Sequence, residues 1–385
     1  MRADRCAVPA IALFYLKKGF TISANDVIIK LMMTKLYQID KNKIDKEKML
    51  EAGQLLLAGE LVAFPTETVY GLGGNALDAS ASRKIYAAKG RPSDNPLIVH
   101  IADWDSLDRI TSNIPEGAKK LADVYWPGPL TMIFPKSDAV PVETTGGLDS
   151  VAVRMPNHPI ALELIRQGGG YVAAPSANTS GRPSPTEAKH VAEDLNGRIA
   201  MILDGGNVGI GLESTIVDFT EEIPTVLRPG AINLDMLTKV LGEVRMDPGL
   251  EQENEHVRPK APGMRYRHYA PKAQLAIVEG DTDAVIEKIN ALTESKLAEG
   301  KKVGIISTDE TYYRYKNGII KSIGSRQEEE SIARHLYGIL RDFDEEEADC
   351  IYSESFETPK LGMAIMNRLL KAAGHKIIDA SEKPE

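Results

Sequence analysis

FPTETVYGLGGNAL, residues 64–77, leads from the end of a short apolar strand (LVAFP, 61–65) through two threonines, a glutamate and a tyrosine into three glycines. Gly71-x-Gly73-x-x-Ala76 formally has the spacing of a loose dinucleotide fingerprint. That fingerprint requires the strand to run straight into the first glycine and a helix to begin there. Here PTETVY intervenes, and GxxxxGK(S/T) occurs nowhere, which excludes a P-loop. The glycines are therefore read as turns beside an anion that other groups hold. AAKGRPSDNPLIVH, residues 87–100, offers such groups: Lys89 and Arg91 flank Gly90, Pro92 stiffens the exit, and Asn95 and His100 follow. Arginine grips phosphate or carboxylate bidentately, whereas lysine supplies a point charge. Taken singly each reads as ordinary surface; four interleaved with Gly and Pro point to a site.

Two further clusters belong with these. YVAAPSANTSGRPSPTEAKHV, residues 171–191, delivers Ser176, Asn178, Thr179, Ser180, Arg182 and Ser184 into a tight loop whose hydroxyls, amide and turn N–H groups suit an anion nest. The plainer reading is helix capping, with Ser184 or Thr186 as N-cap and Pro185 early in the helix; a helix N-terminus is itself an anion site. In GLESTIVDF and VLRPGAI, Ser214 and Thr215 begin one strand and Arg228 ends another, and Arg154 ends the strand in VAVRMPNHP. A charge at the end of an apolar strand needs a partner if buried. Together they read as walls of one cleft. No Ser-His-Asp or Cys-His arrangement is arguable, so the expected chemistry is electrostatic: hold anionic groups and align them, as attack at phosphorus requires.

The elements around these clusters predict a mixed α/β domain over 45–242. A helix over 45–60 precedes LVAFP, another is expected at 80–89, and strands at PLIVHI, LTMIFP, SVAVRMP, YVAAP, AMILDGG, STIVDF and TVLRPG alternate with helices at HPIALELIRQ and PTEAKHVAEDL. Residues 243–272 turn from acidic to basic, aromatic and Pro/Gly-rich, with Arg265, Tyr266, Arg267, His268 and Tyr269 in a row, too dense for a bland linker. From Ala273 onward β and α elements alternate: QLAIVEG, a helix at 281–298, KVGIIS, a helix at 328–343, ADCIYS, a helix at 359–374 and HKIID. This predicts a small parallel sheet flanked by helices. The acidic DFDEEEAD reads as a solvated face.

Bulk properties set outer limits. At 385 residues, 43% hydrophobic and 26% charged, the chain suits two ordinary globular domains. A net charge of −9 argues against coating nucleic acid by bulk electrostatics, leaving a local basic pocket or patch. Cys6 and Cys350 read as free thiols of a reducing cytoplasm, with no CxxC or HExxH metal pattern. No apolar run approaches the roughly 20 residues of a membrane span. Residues 1–33 are set apart as an extension, disordered or a misassigned start.

In order, PTETVYGLG, KGRPSDNPLIVH, WPGPLT, VRMPNHP, PSANTSGRPSPT, ESTIVDF and LRPGAI closely resemble the YrdC-like family of threonylcarbamoyl-AMP synthases, and APGMRYRHYAP resembles the linker of its longer members. The resemblance runs from about residue 45 to 272, and the remainder fits their smaller C-terminal domain. It implies a YrdC-like twisted mixed open sheet with helices around a concave cleft, plus a smaller Rossmann-like domain. The implied reaction converts L-threonine, bicarbonate or CO2, and ATP into threonylcarbamoyl-AMP and diphosphate. A separate transferase complex would then modify the adenosine next to the anticodon of tRNA. By the same resemblance Lys89, Arg91, Ser176 and Asn178 form the catalytic tetrad at the phosphates. Arg91, Asn95, Ser150, Ser176, Ser184, Arg228, Tyr266 and His268 contact ATP, and Thr68, His100, Arg154, the backbone at Ala174 and Ser214 hold threonine. Magnesium is expected on the phosphates, with no protein metal ligand assigned.

The rival readings are an RNA-binding platform on a basic patch, with weak tRNA contact, and a carbamoyl-adenylate enzyme with another acceptor. The latter usually carries zinc-finger-like and acylphosphatase-like regions, which this sequence lacks.

Overall fold

The computed structural model describes residues 33–250, 260–262, 268–356 and 360–381; most of the N-terminal extension, and Tyr266, lie outside them. The larger of two sheets is built from β1 (Lys35–Gln38), β2 (Val62–Phe64), β3 (Gly71–Asn75), β4 (Ile98–His100), β5 (Leu130–Pro135), β6 (Ser150–Arg154), β7 (Val172–Ala173), β8 (Met201–Asp204), β9 (Thr215–Asp218), β10 (Thr225–Arg228) and β11 (Arg245–Met246). Their spatial order is β1-β8-β2-β3-β7-β4-β6-β5-β9-β10-β11, with parallel and antiparallel pairs mixed. Its helices are α1 (Lys46–Leu57), α2 (Ala79–Lys89), α3 (Leu107–Ile110), α4 (Glu116–Tyr125), α5 (Pro159–Gln167), α6 (Ala188–Leu195) and α7 (Leu234–Leu241). One face packs Val62, Phe64, Met201 and Leu203 against α1 and α5; the other packs Ala63, Leu72, Val99 and Ile202 against α2, α4, α6 and α7.

Local signals explain the helix ends. Asp45 caps α1, its side chain accepting from the N–H groups of Glu47 and Lys48, and Asp78 caps α2 through Ser80. Gly90 ends α2 at φ +62°, in the left-handed region that glycine enters without a Cβ penalty. The mixed α/β class expected from the sequence is what the structure has.

Two expectations are corrected, and one strand was not foreseen. Gly71–Asn75 is not a turn: it is β3, paired antiparallel with β2 and β7 and buried. A Cβ at Gly73 would lie 2.9 Å from Val172 Cγ1 and 3.1 Å from the Val62 carbonyl oxygen, so glycine serves close packing inside the sheet. Ser184 and Thr186 do not cap α6; its N-cap is Glu187, without a side-chain bond, and Pro185 falls outside the helix. β1 escapes sequence reading because it is an edge strand, mostly exposed, with no apolar alternation.

The second sheet, β14-β13-β15-β12-β16, is wholly parallel. It contains β12 (Gln274–Glu279), β13 (Val303–Ser307), β14 (Ile319–Ser322), β15 (Cys350–Glu354) and β16 (Ile377–Asp379). α8 (Thr282–Ala298) covers one face, and α9 (Glu329–Glu345) and α10 (Gly362–Ala372) the other. α9 and α10 also reach the large domain, where the site lies. Among the described residues no helix is long and apolar enough to cross a membrane.

Candidate active site

The ends of α2, β4, β6, β9 and β10 and the loops 65–70 and 174–184 converge on one chamber. Lys89, Arg91, His100, Arg154, Ala174, Ser176, Asn178, Ser184, Ser214, Arg228 and His268 all line it. Lys89 is the last residue of α2, and the left-handed Gly90 turns the chain so that both Lys89 and Arg91 point inward. Lys89 Nζ donates to the carbonyl oxygens of Ser176 and Asn178 and lies 3.4 Å from Asn178 Oδ1. Ser176 Oγ donates to the same Oδ1 at 2.5 Å, and Asn178 Nδ2 donates to the Thr179 and Arg182 carbonyls at 2.9 Å each. Arg91 bonds Asn95 Oδ1 at 2.6 Å and the Pro96 carbonyl at 3.1 Å. Arg228 donates to the Ser214 carbonyl and hydroxyl at 3.0 and 3.2 Å and to the Pro262 carbonyl at 3.2 Å.

These three cations share one property: every hydrogen-bond acceptor named for them is a neutral oxygen. Burial, with Arg91 adding repulsion, holds the Lys89 ammonium well below the usual lysine value; burial pushes Arg91 down to about 10 and lowers Arg228. A buried cation whose hydrogen-bond partners are all neutral is costly, and an incoming anion removes the cost.

A second corner lies where β4 and β6 end side by side, with His100 registered against Arg154. Arg154 Nη1 donates to Thr68 Oγ1 at 2.9 Å. Its Nη2 lies 2.7 Å from Glu67 Oε1 but out of hydrogen-bond alignment, and Nε and Nη2 are buried without a hydrogen-bond partner among the described residues. Burial first, then Arg154, pushes His100 down to about 3, so its imidazole is neutral at physiological pH. Thr68 reaches the corner through Arg154. The Ala174 N–H is already taken by the Ile98 carbonyl at 2.8 Å, so its carbonyl is what remains for a ligand. Asn95 acts through Arg91. Ser150 does not line the chamber; it sits two residues before Ala152, which pairs with Ile98, and so at the Asn95 end of that strand pair.

Sequence reasoning gave no site role to Glu213, Thr66 or Tyr269, which also line the chamber. Glu213 Oε1 accepts from Ser184 Oγ at 2.6 Å, and Oε2 from Tyr337 OH at 2.8 Å and Arg368 Nε at 3.0 Å. Burial pushes this carboxyl up, but Arg368, Arg228 and Ser184 together outweigh it and leave it below the usual value. Tyr269, at φ +64°, stacks on Tyr337 with ring centres 5.1 Å apart. Tyr337 and Arg368 come from α9 and α10, so the second domain forms the back of the site. It also steadies the 174–184 loop. Arg341 is fully buried against Asp194 at 2.9 Å, and Asp194 accepts from Arg182 and from the Thr179 N–H. Thr179 therefore faces Asp194 and does not line the chamber. DFDEEEAD is not simply a solvated face, since Asp344 is buried, accepts the Lys272 N–H at 2.6 Å and lies 3.5 Å from Arg182.

Among the described residues no three His, Cys, Asp or Glu side chains group as metal ligands, and Glu213 is already engaged by Ser184, Tyr337 and Arg368. This donor set fits a metal that arrives on phosphate oxygens. The chamber's interior is about 60 Å3.

Two family models together span most of the chain. The family model Sua5/YciO/YrdC, described as "Telomere recombination", matches residues 54–230, and the model "Threonylcarbamoyl-AMP synthase, C-terminal domain" matches 232–374. Threonylcarbamoyl-AMP synthase of Bacillus subtilis is 51% identical over 340 residues, covering 88% of this chain and 96% of the relative. That of Pyrococcus abyssi is 50% identical over 343 residues, covering 88% and 97%. The crystal structure of P. abyssi Sua5 complexed with L-threonine superposes with a TM-score of 0.85 at 49% identity, covering 90% of this chain and 99% of that one.

Proposed function

The chain belongs to the family of threonylcarbamoyl-AMP synthases, and on that premise we propose that it joins L-threonine, bicarbonate or CO2, and ATP into threonylcarbamoyl-AMP with release of diphosphate. The observation that carries the reading is a trio of cations, buried Lys89 and Arg228 and half-buried Arg91, whose hydrogen-bond acceptors are all neutral oxygens in a chain of net charge −9. Such a chamber is organised for a triphosphate.

Arg154 takes the threonine carboxylate through Nε and Nη2, which lack aligned partners, and neutral His100 lies beside it without adding charge. Threonine's amine, in its neutral form, attacks CO2; a nitrogen–carbon bond forms as one C=O π bond opens onto oxygen, and the nitrogen passes a proton to solvent. A carbamate oxygen then attacks the α-phosphorus, the bond to the bridging oxygen breaks, and diphosphate leaves. Lys89, Arg91, Ser176 and Asn178 hold the phosphates in line, so positioning and charge compensation supply most of the catalysis. Asn95 orients Arg91, Ser150 lies toward the nucleotide's far end, and Ser184 and Arg228 flank it. His268, which lines the chamber, contacts it. Magnesium, held by the phosphate oxygens and not by protein side chains, would spread their charge when bound. The mixed anhydride passes to a separate transferase for the tRNA adenosine beside the anticodon, in the cytoplasm.

Diphosphate release, with ATP and magnesium present and threonine or bicarbonate omitted in turn, tests the reading. Release that needs both supports it; release indifferent to threonine assigns another acceptor. Absence of release, with salt-sensitive RNA binding, would favour the RNA platform.

A further inference from the structure

The C-terminal domain has a crevice of its own. β12 and β15 are adjacent and parallel, yet the chain leaves them toward opposite faces. After β12, α8 packs Val285, Ile286 and Ile289 on the face that carries Ala276 and Val278; after β15, α10 packs Ile365 and Leu369 on the face of Leu275 and Ile277. Neighbouring strand ends with diverging connections leave a gap at their carboxyl edge, where open α/β sheets bind ligands. A cavity of about 380 Å3 lies there, lined by Glu279, Gly280, Thr282, Arg326, Glu354 and Ser355 among others. It shares no lining residue with the catalytic chamber.

Its polar walls are built. Glu354 is buried, accepts from Thr311 and Tyr315 hydroxyls (the latter at 2.8 Å), and lies 2.5 Å from Arg326 Nη2. Arg326 Nη1 donates to the Ser355 carbonyl at 3.0 Å, and the guanidinium sits 5.4 Å over the Phe356 ring. Arg326 is thus fixed in place, with only two of a guanidinium's five N–H groups used in these bonds. Glu279, on another wall, has a half-buried carboxylate with no hydrogen bond or ion pair among the described residues. A phosphate ligand is disfavoured, because Glu279, Asp281, Asp283 and Glu354 crowd this end of α8 and Arg314 is already spent on Asp283 at 2.7 Å. A guanidinium fixed by Glu354 and a carboxylate with no partner among the described residues line one cavity and complement a molecule carrying both a carboxylate and an ammonium.

We propose that this crevice binds a free α-amino acid, its carboxylate on Arg326 and its ammonium on Glu279. Titration calorimetry of the full chain with each L-amino acid in turn tests this, comparing wild type, Glu279→Gln and Arg154→Ala. The last removes the carboxylate partner of the catalytic chamber. Expected is an amino acid that binds wild type and Arg154→Ala alike and loses about tenfold or more in affinity in Glu279→Gln. If no amino acid binding survives Arg154→Ala, or if a normally folded Glu279→Gln binds as wild type does, the assignment is overturned. Should Glu279→Gln fail to fold, the methyl ester of the bound amino acid provides the test on wild type: it should not bind at this site, and binding equal to the free acid would overturn the proposal. ATP or diphosphate displacing the amino acid from the Arg154→Ala chain would overturn it as well.

Discussion

Lys89 is enclosed by three neutral oxygens and stripped of solvent, which disfavours its charged form. On the proposed function, a bound triphosphate would supply negative charge beside it and raise its pKa again. At a pH above the free-state value, ATP binding should therefore take up a proton, visible as a binding enthalpy that changes with the ionisation enthalpy of the buffer. Lys89→Met should abolish that dependence and lower diphosphate release by about a hundredfold. Buffer-independent binding by the wild type would mean that Lys89 is already charged in the empty chamber. Lys89, Arg91, Ser176, Asn178, Arg154 and Arg228 were legible in the sequence because local features betray them: glycine and proline around a charge, or a charge closing an apolar strand. Glu213 was not. Its role depends on Arg368, 155 residues further on, and no spacing or period connects the two.

At the scale of elements, glycines do two different jobs within twenty residues. Gly73 sits in a strand where a Cβ meets Val172, Phe64 and the Val62 carbonyl. Gly90 has open space around it but a backbone at φ +62°. Gly73→Ala should cost about 1–3 kcal/mol through overpacking, and Gly90→Ala about 1 kcal/mol through backbone strain. Denaturant midpoints of the two variants measure both; equal losses would show that the sheet gives way as easily as the turn. Sequence pattern found most of the buried strands, since apolar runs bounded by Gly and Pro mark them. It failed for β3, because a strand of glycines has no side-chain periodicity to read, and for β1, whose partner β8 follows more than 160 residues later.

Across the whole molecule, Glu213 joins the two domains more tightly than their separate sheets suggest. Arg368→Ala would leave a buried carboxylate facing Tyr337 and Ser184 without its main countercharge, at a cost of about 3–5 kcal/mol. The same variant should lower diphosphate release, because Ser184 lines the chamber through this carboxylate; normal turnover at reduced stability would confine Arg368 to a structural role. Acid should act on the molecule as a whole. Burial pushes His100 and His190 down to about 3 and His158 to about 4. The unfolded chain takes up these protons below about pH 6.5, whereas the native chain refuses them until pH 4 to 3. Their stabilisation is therefore present above pH 6.5 and lost as the pH falls through that window, by up to about 1.4 kcal/mol per pH unit for each histidine. Denaturation midpoints at pH 7.5 and 5 check the sign, and His190→Gln should flatten the slope.

The catalytic chamber encloses about 60 Å3, whereas sites for molecules of nucleotide size run to about 300 Å3 or more. On the proposed function, substrates of that size enter only if part of the lining, such as Pro262 or His268, gives way through the surrounding liquid in each cycle. A step of that kind feels friction. Sucrose or glycerol that doubles the microviscosity should roughly halve the turnover number if this displacement sets the pace, while a large inert polymer, which thickens the bulk alone, should leave it unchanged. Turnover indifferent to both would assign the slow step to bond making inside the closed chamber.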